Sequence, residues 1–257
     1  MALTQQPGLF GELQGRRVFV SGAGSGIGLA LATRFAHQGA VVGINYLPDD
    51  ERGALAADGL ISDGFAVHKY PADVGDEGQV EEVLRAYKDS LGPVEVLVSN
   101  AGIAEHQPFV ELGRENWERM LRVHVLGARN CIAAALPSMI EAKWGRVIIT
   151  ASELAQIGAP NLTHYCAAKG ALVSFAKALA REVAEDGVTV NCVAPGPVET
   201  ELLTAYPDEY NEANRLAIPL QRWGTPGEVA WTYLFLATSA GAWYTGQVLS
   251  PNGGVAM

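Results

Sequence analysis

Tyr165 and Lys169 stand four residues apart in the run Tyr165-Cys166-Ala167-Ala168-Lys169. A helix through that run puts the phenol and the ammonium on one face. A phenol can give and take a proton, but its ordinary pKa of ~10 is too high for ready exchange near neutrality. An ammonium alongside favours the phenolate, and each unit of lowering corresponds to ~1.36 kcal/mol. Ser152, thirteen residues before Tyr165, brings a hydroxyl able to hydrogen-bond and orient a reacting oxygen. Singly, these are an ordinary helix face and an ordinary strand-end serine. Their weight comes from their company.

That company begins with Ser21-Gly22-Ala23-Gly24-Ser25-Gly26-Ile27-Gly28, set between a short apolar run and a helical pattern. Glycines there let backbone amides approach a pyrophosphate while a helix N-terminus presents its positive end. The common spacing G-x-G-x-x-G fails, because Gly22 and Gly24 would need a third glycine at Ile27. Gly22, Gly26 and Gly28 give G-x-x-x-G-x-G instead. A tight strand-to-helix turn needs glycine anyway, so placement straight after the first strand carries the dinucleotide reading.

The elements that must hold these groups alternate. β-branched runs at 17–20, 41–45, 66–70, 94–99, 146–150, 188–193 and 247–250 predict strands. Helical spacing at 27–38, 77–90, 116–142 and 163–185 predicts helices between most of them. The strands read as continuous apolar stretches, as strands buried on both faces do. The expected fold is α/β: a single-domain, Rossmann-like, doubly wound parallel sheet of about seven strands. Residues 1–257 form one domain in this reading, with 1–14 a flexible extension. The polar stretch 199–222, with Tyr206, Tyr210, Pro207 and Pro219, is expected to be an irregular lid over a substrate.

Composition narrows the classes. Of 257 residues, 49% are apolar and 18% charged, enough for a large core. A net charge of −10 and the lack of a basic run exclude a nucleic-acid binder. Cys131, Cys166 and Cys192 are widely spaced among apolar neighbours, which predicts reduced, buried thiols. Residues 1–15 hold no apolar run long enough for a signal peptide, and no stretch approaches ~18 unbroken apolar residues. The expectation is a cytoplasmic protein with no membrane partner.

Further runs follow in order: Asp73-Val74, Ser99-Asn100-Ala101-Gly102, Asn191, Pro195-Gly196-Pro197-Val198-Glu199-Thr200 and Pro251-Asn252-Gly253-Gly254. With the glycine turn and the Ser152, Tyr165 and Lys169 set, the chain resembles the short-chain dehydrogenase/reductase family over nearly its whole length. The resemblance implies hydride exchange between NAD or NADP and a small carbonyl or alcohol substrate, with Tyr165 as acid/base. Lys169 would lower the phenol's pKa and bond the nicotinamide ribose, and Ser152 would orient the substrate oxygen. Gly22, Ser25, Gly26, Ile27, Gly28, Tyr46, Val74, Pro195, Gly196 and Val198 would line the cofactor cleft. Asp73 would contact the adenine, Asn100, Ala101 and Gly102 would face the dinucleotide, and Thr200 would hold the carboxamide.

One position departs from the family. His124 replaces an asparagine in the helix after the fourth strand, which helps hold a water between Lys169 and solvent, partly through its backbone carbonyl. The imidazole is expected either to titrate near neutral pH or simply to pack. The other histidines show no metal-ligand spacing, and no metal is expected.

Cofactor choice stays open on the residues. Asn45-Tyr46 at the end of the second strand accompanies NADP in many family members, whereas Asp49, Asp50 and Glu51 would repel a 2′-phosphate. The chain is similar to β-ketoacyl-carrier-protein reductases in layout and in its Asn-Gly-Gly terminus. Lys143 and Arg146 could form one side of a docking patch for an acidic carrier, but Glu185-Asp186 stands where a second arginine is expected. A free small ketone or secondary alcohol is therefore preferred, in a pocket drawing on Leu202, Leu203, Tyr206 and Trp144. Loss of the Tyr-Lys pair would mark a dinucleotide-sensing protein, and arginine for lysine a dehalogenase; neither change is present. The family's helix pairing implies a homodimer or homotetramer through 116–142 and 163–185.

Overall fold

Seven short strands form the centre of the molecule, and the computed structural model describes residues 10–257. They are β1 (Arg17–Val20), β2 (Val41–Tyr46), β3 (Val67–Pro71), β4 (Val96–Ser99), β5 (Gly145–Thr150), β6 (Val188–Val193) and β7 (Val248–Leu249). All pair in parallel in the order β3-β2-β1-β4-β5-β6-β7. β4, β5 and β6 are buried along their whole length, which explains their largely apolar sequences.

Helices cover both faces. α1 (Gly26–His37), α2 (Glu51–Ser62) and α9 (Pro226–Ala237) lie over one side, with Phe35, Ala57 and Tyr233 in that core. α3 (Glu77–Leu91), α5 (Gly127–Glu141) and α7 (Thr163–Val183) cover the other, with Tyr87, Met139 and Leu172. The chain runs from β1 outward to β3 and then crosses to β4 on the opposite side of β1. That reversal opens a crevice at the carboxyl ends of β1 and β4, where such sheets take ligands. Both the glycine turn and Asn100 sit there.

Several elements depart from expectation. α2 and α9 were not anticipated. α9 is closed by a capping box, in which Thr225 accepts from the Glu228 amide and the Glu228 carboxylate accepts from the Thr225 amide. The 199–222 stretch is not irregular throughout: it holds α8 (Asp208–Ala217), which follows Pro207 and carries acidic Asp208 and Glu209 in its first turn and Arg215 in its last. Of the expected flexible extension, Phe10 to Gln14 is instead packed. Leu13 is fully buried, Phe10 stacks on Trp231 at 5.2 Å, and Glu12 accepts from the Ser239 amide at 2.9 Å. Residues 1–9 lie outside the described residues.

The expected helix over 116–142 is a continuous helical run of three parts. α4 (Arg114–Leu121) passes through one π turn, Arg122–Leu126, into α5. The whole run, Arg114–Glu141, is long and apolar enough to cross a membrane. Its Cys131, Ile132, Ala135 and Met139 are nevertheless buried in the sheet core, which makes it a core helix. Cys131 and Cys192 are buried and Cys166 half-buried, and all three are free thiols.

Candidate active site

The crevice is one cavity of about 940 Å³. Every residue singled out from the sequence as catalytic or cofactor-binding lines it, from Gly22 at one end to Thr200 at the other.

Glycine is demanded by geometry at two points of the turn. Gly22 has φ +60°, and a Cβ there would stand 2.5 Å from the Ala101 Cα. A Cβ on Gly28 would stand 2.1 Å from the Gly22 carbonyl oxygen. Asn100 ties β4 to this turn, its Nδ2 donating to the carbonyls of Ser21 at 3.2 Å and Gly22 at 3.0 Å. Ser21 Oγ accepts in return from the amides of Asn100 and Ala101. Asn45 adds a third strand, its Oδ1 accepting from the Gly22 amide and its Nδ2 donating to the Tyr70 and Ala72 carbonyls. The result is a hydrogen-bonded, glycine-rich cradle at the N-terminus of α1, which suits the pyrophosphate of a dinucleotide. Asp73 is held by Arg122 at 2.7 Å and accepts from the Gly75 amide at 2.8 Å.

Across the cavity, β5 and α7 bring the polar groups together. Lys169 is buried, and its Nζ donates to the Thr150 carbonyl at 2.7 Å. Burial lowers its pKa to about 8. The same Nζ stands 5.6 Å from the centre of the Tyr165 ring. Tyr165 is itself 7% exposed, and its pKa is pushed up, chiefly by burial and then by Tyr206 and Glu153. Ser152 Oγ donates to Glu153 Oε2 at 2.8 Å and accepts from the Leu154 amide at 3.1 Å.

His124 lies in the π turn, 2% exposed, with its ring edge-on to Tyr165 at 5.5 Å. Its Nε2 meets both the amide of Ile103 at 3.1 Å and the carbonyl at 2.9 Å, and one ring nitrogen satisfies only one of them at a time. Nδ1 is buried with no partner among the described residues. Burial first, then Lys169, holds its pKa well below the usual imidazole range. Titration near neutrality is thereby corrected: the ring stays uncharged.

Three expectations about the surroundings are also corrected. Trp144 is not in the pocket, because it precedes β5 while the cavity lies at that strand's other end. Its ring is sandwiched by the guanidinium groups of Arg16 at 4.2 Å and Arg146 at 4.5 Å. Arg146 is buried there, and Lys143 is ion-paired with Asp186. Neither flanks the cleft as a docking patch would. Leu202, Leu203 and Tyr206 do line it.

The sequence reading passed over Glu153 as a site residue. Its carboxyl is 6% exposed, lines the cavity beside Ser152, and has its pKa raised to about 7 by burial. It also left out His106, which packs on Tyr210 at 4.8 Å behind the expected lid aromatics Tyr206 and Tyr210, themselves 5.5 Å apart. A charged residue directly after Ser152, where a buried strand ends, was the available signal for the first. The second depends on α8 folding back and had none.

Comparison with known proteins agrees with this geometry. A short-chain dehydrogenase profile described as enoyl-(acyl carrier protein) reductase matches residues 22–256. Nodulation protein G of Rhizobium sp. (strain N33) is 36% identical over 96% of this chain and 99% of its own. The 3-oxoacyl-[acyl-carrier-protein] reductase FabG of Staphylococcus aureus is 31% identical over 94% and 98% respectively. Among solved structures, a gluconate 5-dehydrogenase from Burkholderia cenocepacia J2315, in complex with NADP and tartrate, superposes with a TM-score of 0.90. It is 31% identical, covering 96% of this chain and 98% of its own. A blue fluorescent protein from a metagenomic library, in complex with NADPH, gives 0.89 at 32% identity, covering 95% and 99%.

Proposed function

Because this chain belongs to the short-chain dehydrogenase/reductase family and is an NAD(P)-dependent oxidoreductase, we propose that it reduces a small ketone, or oxidises the matching secondary alcohol, with Tyr165 as proton donor and acceptor. The observation that carries this is the meeting of Ser152, Tyr165 and Lys169 in the same cavity as the glycine-rich cradle. When bound, the nicotinamide supplies or receives the hydride. The cradle of Gly22, Gly26 and Gly28 would hold the pyrophosphate, and Thr200 and Val198 would flank the nicotinamide end.

Each side chain then has a defined task. Reduction builds negative charge on the substrate oxygen, and Tyr165, neutral by burial, gives it the phenolic proton. The phenolate left behind is stabilised by Lys169, whose ammonium is charged below a pH of about 8. Ser152 sets the position of the reacting oxygen by turning its one hydroxyl proton from Glu153 to that oxygen. Thr150 and α7 fix Lys169, so its ammonium stays beside the phenol through the cycle. Oxidation runs the same proton path backwards.

A panel of ketones and secondary alcohols, followed at the nicotinamide absorbance with both NADH/NAD and NADPH/NADP, tests this directly. Turnover of at least one carbonyl class is expected. Silence across the panel, with dinucleotide still bound, favours a sensing protein instead.

The ribose end yields a second prediction. Asp50 lines the cavity with Tyr46 and caps α2, its Oδ1 accepting from the Gly53 amide at 3.0 Å. Its Oδ2 stands against Gly24, where a Cβ would come within 2.8 Å. Asp50→Asn keeps the cap, since asparagine serves as well there, but removes the charge. The ratio of NADPH to NADH affinity is expected to rise by roughly three- to tenfold, because a 2′-phosphate no longer meets a carboxylate. An unchanged ratio in fluorescence titration places the ribose elsewhere.

A further inference from the structure

Among the described residues, Glu153 is the one buried carboxyl lining the cavity, and the proton transfer described above does not use it. Its Oε2 stands 2.8 Å from Ser152 Oγ, the atom that orients the reacting oxygen. Oε2 is therefore two hydrogen bonds, by way of Ser152 Oγ, from the reacting oxygen. A hydroxyl on the carbon next to a carbonyl stands about one hydrogen-bond length from the carbonyl oxygen and so can bridge that gap to Oε2. From this geometry we propose that Glu153 determines specificity by receiving a hydroxyl on the carbon next to the reacting carbonyl, so that the substrates are α-hydroxyketones and the corresponding vicinal diols. The inference rests on the hydride-transfer reading and names the substrate class for that same site.

The charges around the carboxyl select a neutral donor. From α7, Lys169, Tyr165 and Cys166 face it, and Tyr206 faces it from the segment before α8. A substrate ammonium drawn to Glu153 would also meet the buried Lys169 cation. A substrate carboxylate at the same place would meet Glu153 itself, a repulsion that a low-dielectric wall does not screen. A hydroxyl meets neither penalty. It donates to the ionised carboxylate and accepts from the protonated acid, so it is served in both states of a group whose pKa is raised to about 7. Leu154, Ile157, Leu203 and Tyr210 also line this end of the cavity and can cover a carbon skeleton.

Two matched series test the proposal: hydroxyacetone, butanone and pyruvate, and 2-hydroxyacetophenone, propiophenone and phenylglyoxylate. Within each series the group beside the carbonyl is hydroxyl, methyl or carboxylate. In the wild type, kcat/KM for the hydroxyketone is expected to exceed that for the methyl ketone by about ten- to a hundredfold, the range of a hydrogen bond to a charged group. In Glu153→Leu that ratio is expected to fall to near one. In Glu153→Gln, which keeps the side chain's size should the leucine variant not fold, the oxo-acid is expected to gain at least tenfold on the methyl ketone. Calorimetric titration of Tyr165→Phe with 1,2-propanediol and 2-butanol gives the same preference without turnover. Ratios alike in the wild type and both variants overturn the role of Glu153 while leaving the oxidoreductase reading intact. No turnover of any carbonyl in a wider panel removes that reading and this inference with it.

Discussion

Phenylalanine at position 165 is expected to slow turnover by about two to four orders of magnitude, the contribution of a positioned acid or base, while dinucleotide affinity stays near the wild-type value. The substitution takes away one oxygen atom. Ser152 keeps Glu153 as its acceptor and the Leu154 amide as its donor, so no buried polar partner is stranded in the serine. The ring remains against His124 at 5.5 Å and in the cluster with Met120, Leu162 and Ala168. Folding is therefore preserved, and the loss reads as chemistry. The split between binding and rate is what identifies a proton donor, because a residue needed only for packing would lower stability and affinity together. Fluorescence titration with the reduced cofactor and a progress curve at the nicotinamide absorbance measure the two sides. Wild-type turnover in this variant removes Tyr165 from the reaction.

Much of this site was legible because the sequence signals were local. The Tyr165 to Lys169 spacing needs only a helix, and α7 runs straight through it. The glycine turn needs only a strand before it and a helix after it, and β1 and α1 supply both. What escaped depended on tertiary placement. α2 carries Gly53, Asp58 and Gly59, which weaken its helical pattern, although Gly53 is needed where a Cβ would crowd Tyr46 and Asp50. α9 ends in Tyr-Leu-Phe-Leu and is apolar on most of its circumference, so periodicity separates it poorly from a buried strand. Trp144 and Arg146 were drawn toward the pocket because distance along the chain says nothing about which end of a parallel strand faces the ligand. The burial of Tyr165 escaped for a related reason: spacing tells that an ammonium is near, whereas the depth at which the phenol lies belongs to the fold.

Glu153 carries a large stability effect, and its sign follows from linkage. The carboxyl has a pKa of about 7 in the folded protein against an ordinary 4.5. The folded state thus holds the proton more tightly than the unfolded chain. Between those two values the unfolded state binds fewer protons, so stability falls as pH rises through the window and levels off above it. The 2.5-unit difference corresponds to roughly 3 kcal/mol of destabilisation once the group is ionised. Glu153→Gln has no such slope. Its stability relative to wild type is expected to grow by about 2 kcal/mol between pH 5.5 and pH 8, a range above the pI near 5.0 where net charge is lowest. Any fixed cost of burying the amide is common to both pH values and cancels in the comparison. Lys169 works in the opposite sense and higher up. Its folded pKa, lowered to about 8, makes stability rise with pH between there and 10.5 in both proteins alike. Urea unfolding at matched protein concentration, repeated across the range, gives the difference directly. A flat difference means the carboxyl titrates as an exposed one does. A rising difference means that this chain carries a group at its reaction centre that weakens the fold under the very conditions in which it is charged, which is the behaviour of a carboxyl placed for a ligand and not for packing.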